Sequence, residues 1–124
     1  LGQALYGKLA LVSGGQKRNH FEMHPHGCDG YLSTFMRFRP EIAHTYWKAI
    51  ETHDLEAAHR IIRDYDMPLF DFILASRGSF DAAIHGILEL FGIAERWRRK
   101  PYHSCTDAEM DELGAFLSQL GIVP

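Results

Sequence analysis

The sequence lacks the features that would assign it to a membrane, to a disulfide-rich secreted class or to nucleic-acid binding. No apolar run approaches the roughly 18 residues of a membrane-spanning helix. The two cysteines, Cys28 and Cys105, are too few for a disulfide framework, so we interpret both as free thiols in a reducing cytoplasm. The net charge of −3 gives no electrostatic reason to expect nucleic acid or an anionic membrane as a partner.

What is present is the composition of one globular domain, because 124 residues with 46% apolar content are enough for one core and not for two. Positive charge is concentrated near the start of the chain, where the acidic residues are only Glu22 and Asp29. This bias suits an anionic small ligand. The basic residues concerned are Lys8, Lys17, Arg18, Arg37 and Arg39.

Two short apolar segments near the start of the chain are typical of β-strands. The first covers residues 9–12 and is followed by a Ser-Gly-Gly turn at 13–15. The second covers residues 31–35 and follows a glycine turn at 27–30. With a helix predicted between them over 16–24, they form one βαβ step of a parallel sheet, and its tight turns lie where such folds bind ligands.

The rest of the chain, from Pro40 onward, has the apolar spacing and the capping residues of helices. Asp54 is a predicted N-cap, and Pro68 predicts a kink. Thr106, with Glu109 three residues later, predicts a capping box. The helices are predicted over residues 40–53, 54–74, 80–91 and from 107 onward.

Two strands are too few for a stable sheet, because a lone parallel pair leaves both outer edges unpaired. The chain also begins at Leu1 and not at methionine. We therefore interpret it as a mostly helical piece of a larger α/β protein. The tight glycine turns beside both strands favour the C-terminal piece of a larger barrel enzyme.

Several short motifs occur in an order and at spacings that resemble one enzyme family. They are Ser-Gly at 13–14, Gly-x-x-Gly-Tyr-Leu-Ser at 27–33, the helix-opening Pro40, the helix start at 52–58, Met-Pro-Leu at 67–69, and the helix ends at 91–93 and 120–122. Together they resemble the C-terminal part of the dihydrodipicolinate synthase and N-acetylneuraminate lyase family. The resemblance covers nearly the whole chain. It implies that residues 1–53 are the last two β/α units of a TIM (β/α)8 barrel, and that residues 54–124 are a C-terminal helical bundle that extends the same domain.

The resemblance implies a class I aldolase-type lyase that forms a Schiff base with pyruvate or another 2-oxo acid. A protonated imine accepts electrons, so C–C cleavage, condensation and dehydration are all possible. The Schiff-base lysine and a tyrosine are expected upstream of Leu1, so no catalytic residue is expected in this chain; neither Lys8 nor Lys17 ends the required strand. The resemblance also implies a cytoplasmic homo-oligomer, a dimer or tetramer, that needs no cofactor.

The same resemblance implies a set of substrate-binding positions. Gly14 matches the glycine whose turn leaves room for the bound 2-oxo acid. Leu32 matches the hydrophobic position on strand eight whose backbone lines the pyruvate pocket, and Ser13, Gly15 and Ser33 flank these two residues. Ligands of barrel enzymes bind at the carboxyl ends of the strands, which agrees with this assignment. The alternative interpretation is that the glycines only form tight turns.

The chain departs from the family pattern after Ser33, where Met-Arg-Phe at 36–38 replaces Ala-Asn-Val. Two interpretations stay open for Arg37 and Arg39. Either one of them pairs with a second carboxylate or hydroxyl-bearing end of the substrate, or both face solvent. With Asp81 and His85 also unlike the family's residues, these departures speak against ordinary dihydrodipicolinate synthase activity and favour a relative of unknown substrate.

A run of histidines, His20, His24 and His26, resembles a metal cluster, because the first two are four residues apart on a predicted helix. However, Glu22 is not placed as in the His-Glu-x-x-His motif, and Pro25 ends the helix. We interpret these residues as exposed helix histidines and predict no metal site.

The favoured function is therefore a Schiff-base-forming lyase of the aldolase, dehydratase or synthase type, with a small 2-oxo acid as its partner. An alternative from a different class is a non-catalytic helical interaction module. A third is a metal-binding protein that uses the histidines of residues 20–26.

Overall fold

The chain divides into two units, Leu1–Met67 and Pro68–Pro124, and the computed structural model describes residues 7–124. The first six residues of the predicted 1–53 segment lie outside the described part. The boundary between barrel units and helical bundle, predicted between residues 53 and 54, stays a prediction.

Two short parallel strands form the sheet of the first unit. Strand β1 is Val12–Ser13 and strand β2 is Gly30–Tyr31, with Val12 opposite Gly30 and Ser13 opposite Tyr31. The parallel βαβ arrangement is confirmed, but both strands are shorter than the segments predicted for them. Among the described residues each strand has a partner along one edge only. A 3-10 turn at Phe35–Arg37 follows the second strand after three further residues.

The connecting helix α1 is Lys17–Met23, followed by a 3-10 turn at His24–His26. Pro25 lies in this turn, and Gly27 ends it with a left-handed backbone at φ 88°. Glycine adopts this conformation without the Cβ clash of other residues. The predicted helix over 16–24 is thus confirmed to within one residue at each end.

The core of the first unit is formed by helix α2, Pro40–Glu51, and helix α3, Leu55–Ile61. Pro40 starts α2, where its missing N–H is not needed. Asp54 caps α3 as predicted, since its carboxylate accepts a hydrogen bond from Ala57 N–H at 2.9 Å. The buried side chains of this core are Tyr46, Ala49, Ile50, Ala58, Ile61 and Ile62, with Phe21 and Tyr31 packed against them.

A π-helical turn at Ile62–Asp66 follows α3 and precedes helix α4, Met67–Ala75. The sequence predicts a regular helix through this region with a kink at Pro68. In the structure the helix is widened before the proline, and Met67 N–H bonds to the carbonyl of Ile62, five residues earlier. Pro68 has no N–H with which to continue the regular ladder. The widened turn contains the buried Asp66.

The second unit contains most of α4 together with helix α5, Ser79–Leu90, and helix α6, Asp107–Gln119. The predicted break before α5 is confirmed at Gly78, which has a φ of 75°. The capping box is confirmed as well. Glu109 N–H donates to Thr106 Oγ1 at 3.3 Å, and Thr106 N–H donates to Glu109 Oε2 at 2.7 Å.

Close packing between α5 and α6 depends on a glycine. A Cβ at Gly86 would lie 2.8 Å from Leu113 Cδ2 and 3.0 Å from Met110 Sδ. On α4 and α6, the rings of Phe72 and Phe116 stack with their centroids 4.1 Å apart. No helix among the described residues is long and apolar enough to span a membrane.

Candidate functional site

The two segments that the sequence assigns to substrate binding lie side by side at the carboxyl ends of β1 and β2. Ser13 ends β1, and Leu32 immediately follows β2. The backbone N–H of Leu32 donates to the carbonyl of Ser13 at 3.0 Å. Because parallel strands present their carboxyl ends at the same edge, both turns open toward one region.

Hydrogen bonds hold the Gly14–Gly15 turn, and the space beside Gly14 is open. Gln16 N–H donates to the Gly14 carbonyl at 2.7 Å, which closes the turn. The hydroxyl of Thr34 donates to the Gly15 carbonyl at 3.4 Å and ties the turn to the segment after β2. A Cβ at Gly14 would meet no atom within 4 Å, so the described residues leave open space beside this turn.

The side chains that follow β2 alternate between two faces. Leu32 is 68% exposed, whereas Tyr31 and Ser33 line a cavity of about 320 Å³ against α2, together with Trp47. Side chains two residues apart in an extended segment share a face. The structure thus brings Ser13, Gly14, Gly15 and Leu32 together but places the Ser33 side chain on the face opposite that of Leu32.

Arg37 ends the 3-10 turn after β2, and its side chain is exposed. Among the residues that the structure describes, its guanidinium makes no ion pair or hydrogen bond. Two of the other basic residues near the start of the chain differ in this respect. Arg18 pairs with Glu22 at 3.1 Å on the surface of α1, and Lys17 is fully buried.

Burial of Lys17 and Asp66 was not predicted from the sequence. Lys17 Nζ lies 3.7 Å from Asp66 Oδ1, and the two side chains are 0% and 1% exposed. Burial lowers the pKa of Lys17 to about 8, although the charge of Asp66 opposes the shift. Burial raises the pKa of Asp66, opposed by the Lys17 ammonium. The sequence does contain a signal for this burial. Lys17 lies four residues before Phe21 and Asp66 four residues after Ile62, so each shares a helical stripe with an apolar residue.

The interpretation of His20 as an exposed residue is wrong. Its ring is fully buried, and Nδ1 lies 2.8 Å from the hydroxyl of Tyr46. That hydroxyl also lies 3.2 Å from the Lys17 carbonyl, to which it donates. Burial, with a smaller contribution from His24, lowers the pKa of His20 and so favours the neutral ring. His20 faces inward because α1 packs this side against Tyr31 and Tyr46.

The histidines of residues 20–26 do not converge. His24 is half-buried beside the His20 ring, with the ring centroids 5.3 Å apart, while His26 is exposed. Within residues 7–124 no group of three or more His, Cys, Asp or Glu side chains is arranged to hold a metal ion.

Comparison with known proteins gives curated relatives and solved structures that are similar to the chain. No family model matches the chain. It is 27% identical over 95 residues to a protein of Acinetobacter baumannii named as a probable 5-dehydro-4-deoxyglucarate dehydratase, covering 77% of this chain and 31% of that protein. A protein of the same name from Variovorax paradoxus matches with the same identity and coverage. The chain therefore spans about a third of the length of these curated relatives.

Solved structures show the fold class. The chain is similar to a protein of Pseudomonas aeruginosa assigned as a dihydrodipicolinate synthetase, with a TM-score of 0.76, 24% identity, and coverage of 95% of this chain and 39% of that one. It is also similar to a monomeric variant of dihydrodipicolinate synthase, with a TM-score of 0.75, 19% identity, and coverage of 91% and 37%. The chain thus has the fold of part of a dihydrodipicolinate synthase-type TIM barrel, mostly helical with two strands.

The predicted resemblance to the C-terminal part of the dihydrodipicolinate synthase and N-acetylneuraminate lyase family is confirmed. The curated relatives carry the name of a dehydratase, and the structural neighbours carry that of a synthase.

Proposed function

We propose that the chain is the C-terminal part of a lyase that forms a Schiff base with a 2-oxo acid. The observation that carries the proposal is the convergence of the Gly14 turn and Leu32 at the carboxyl ends of two paired parallel strands. Barrel enzymes bind their substrates at this end. In this proposal the open space beside Gly14 accommodates the 2-oxo acid, and the backbone at Leu32 borders it.

The chemistry requires an amine that is free to attack a carbonyl carbon. Lys17 is unsuitable, because its ammonium is buried against Asp66. The Schiff-base lysine and its partner tyrosine belong, in this proposal, to residues before Leu1. The C-terminal helical bundle, the homo-oligomeric state and the cytoplasmic location remain predictions that accompany the proposed function.

The relatives' name suggests the substrate class. In 5-dehydro-4-deoxyglucarate the 5-oxo group adjoins a carboxylate, so the compound is a 2-oxo acid, and a second carboxylate lies at its other end. The guanidinium of Arg37 is exposed after β2 and has no ion pair among residues 7–124. It suits that second carboxylate, since arginine binds carboxylates through two parallel hydrogen bonds. We infer dehydration of a dicarboxylic 2-oxo sugar acid, with Arg37 as a specificity residue.

Trapping of the imine tests the reaction class. The longer protein that contains this chain is incubated with pyruvate and sodium borohydride, and its mass is measured. We expect one reduced pyruvate per chain, attached to a lysine before Leu1, and no modification of the 124-residue chain tested alone. A folded longer protein that is never modified would contradict the proposal and favour the non-catalytic interaction module.

A second measurement tests the substrate class. Arg37→Met is expected to raise the KM for 5-dehydro-4-deoxyglucarate by about tenfold or more, because a charge-assisted hydrogen bond is lost. Trapping of pyruvate, which lacks the second carboxylate, stays unchanged. Arg60→Met, an exposed arginine on α3, is the matched control. An effect of Arg39→Met in place of Arg37→Met would transfer the role to Arg39.

A further inference from the structure

The ion pair between Lys17 and Asp66 is the least expected feature of the first unit. Lysine and aspartate are almost never fully buried unless they are paired, and here the exposed fractions are 0% and 1%. Taking two charges out of water is so costly that such a pair is weak evidence for stability. The role of the ion pair is therefore better inferred from its location than from its contribution to stability.

Asp66 caps helix α1 from a distant part of the chain. Its Oδ2 accepts a hydrogen bond from the backbone N–H of Arg18 at 3.2 Å, across 48 positions of sequence. A side-chain cap of this kind normally comes from the residue that immediately precedes the helix. Gln16 stands at that position in α1 and makes no side-chain capping bond.

The end of α1 that Asp66 caps continues directly from the Gly14–Gly15 turn. The strand side of the turn is fixed by the bond from Leu32 N–H to Ser13, and its middle by the bond from Thr34 to the Gly15 carbonyl. Asp66 fixes the helix side. Two adjacent glycines have more backbone freedom than other residues, so the conformation of this turn depends on such external bonds.

Lys17 supplies the counter-charge of the Asp66 carboxylate. Its Nζ lies near Asp66 Oδ1 and 4.0 Å from the centroid of the Phe35 ring, a favourable position for a cation. Burial alone would favour a neutral Asp66, and the ammonium opposes this. An ionised carboxylate accepts a stronger hydrogen bond from the Arg18 N–H than a neutral one does.

We propose that Asp66 is a positioning residue for the Gly14–Gly15 turn, acting through the Arg18 amide with Lys17 as its counter-ion. The inference rests on the proposed function, in which this turn borders the bound 2-oxo acid. The carboxylate does not touch the substrate, and its effect is to hold the turn in the open conformation that receives the substrate.

Two double variants of the longer protein separate this role from a structural one. Both remove the buried charges. Lys17→Met with Asp66→Asn keeps a carbonyl oxygen that accepts from the Arg18 N–H, whereas Lys17→Met with Asp66→Leu removes it. Glu22→Gln, which neutralises an exposed carboxylate on α1, is the control. The measurements are hydrogen exchange of amides 14–18 without ligand, and the pyruvate concentration that gives half-maximal borohydride trapping.

For the Leu double variant we expect about tenfold faster exchange of amides 14–18 and about tenfold higher half-saturating pyruvate, with the maximal trapping rate less affected. The Asn double variant is expected to lie much closer to wild type than the Leu double variant, and Glu22→Gln is expected to match wild type. A purely structural role would change exchange throughout the first unit and lower the melting temperature, without this restriction to the turn.

Equal exchange and equal half-saturation in the Leu and Asn double variants would overturn the proposal. So would fast exchange of the Arg18 amide in the wild-type protein, a result that needs no variant to fold. If the wild-type protein traps no pyruvate, the proposed function fails, and the exchange comparison still decides whether Asp66 orders the turn.

Discussion

Replacing either of two helical glycines in the second unit, Gly86 or Gly114, by alanine should change the stability in opposite directions. Alanine is favoured over glycine inside a helix by about 1 kcal/mol. At Gly114 in α6 the new methyl group would lie 4.0 Å from Leu90, an ordinary contact. Gly114→Ala should therefore raise the free energy of unfolding by about 1 kcal/mol.

Gly86→Ala gains the same helical preference but meets α6. Its Cβ would lie 2.8 Å from Leu113 Cδ2 and 3.0 Å from Met110 Sδ, and forced overpacking of this kind costs about 1–3 kcal/mol. Taking about 2 kcal/mol for the clash and subtracting the gain leaves a net loss of about 1 kcal/mol. The two variants should thus differ by about 2 kcal/mol, or roughly 8 °C in Tm.

Urea unfolding followed by far-ultraviolet circular dichroism measures both variants against the wild type. A double-mutant cycle identifies the cause, because in a Leu113→Ala background the atom that clashes is absent and Gly86→Ala should become neutral or stabilising. Equal stabilisation by Gly86→Ala and Gly114→Ala in the wild-type background would refute the close approach of α5 and α6 at Gly86.

Three further predictions concern charges and caps. Burial lowers the pKa of Lys17 to about 8 in the folded chain. Above that pH the unfolded chain binds more protons than the folded chain, so stability rises with pH. Raising the pH from 7 to 9.5 should therefore stabilise wild type relative to Lys17→Met by about 2 kcal/mol. Urea unfolding at both pH values checks this, and a constant or shrinking difference would contradict it. Thr106→Ala should cost about 1 kcal/mol and speed exchange of the Glu109 amide, which loses its acceptor. Asp54→Ala should cost a similar amount, measured by thermal unfolding, and Asp54→Asn should restore most of it.

The parts of the fold that sequence predicts well are those set by neighbouring residues. Gly78 precedes α5 and breaks the helix there through its own left-handed backbone, and Thr106 caps α6 with a partner three residues away. The βαβ order is also set locally, because one glycine turn follows the first apolar segment and another precedes the second. For these elements the physical cause is contained in a window of a few residues.

The parts that sequence does not predict depend on partners far along the chain. The burial of His20 follows from the packing of α1 against Tyr46, and that of Lys17 from Asp66. A lysine and an aspartate on separate helices carry no local sign that they meet. The candidate site shows the same difference. The motif predicts that Leu32 and Ser33 are neighbours in the site, but their side chains lie on opposite faces because side chains alternate along an extended segment.

The apolar surface beside the short sheet has a practical consequence for work on this chain alone. Leu9 is 65% exposed, Val12 53% and Leu32 68%, and they lie in or next to strands that are paired along one edge only within the described residues. Exposed strand edges with apolar side chains recruit strands from other molecules. A solution of the isolated 124 residues should therefore self-associate as its concentration rises, and dilute samples give the more faithful measurement of its folding.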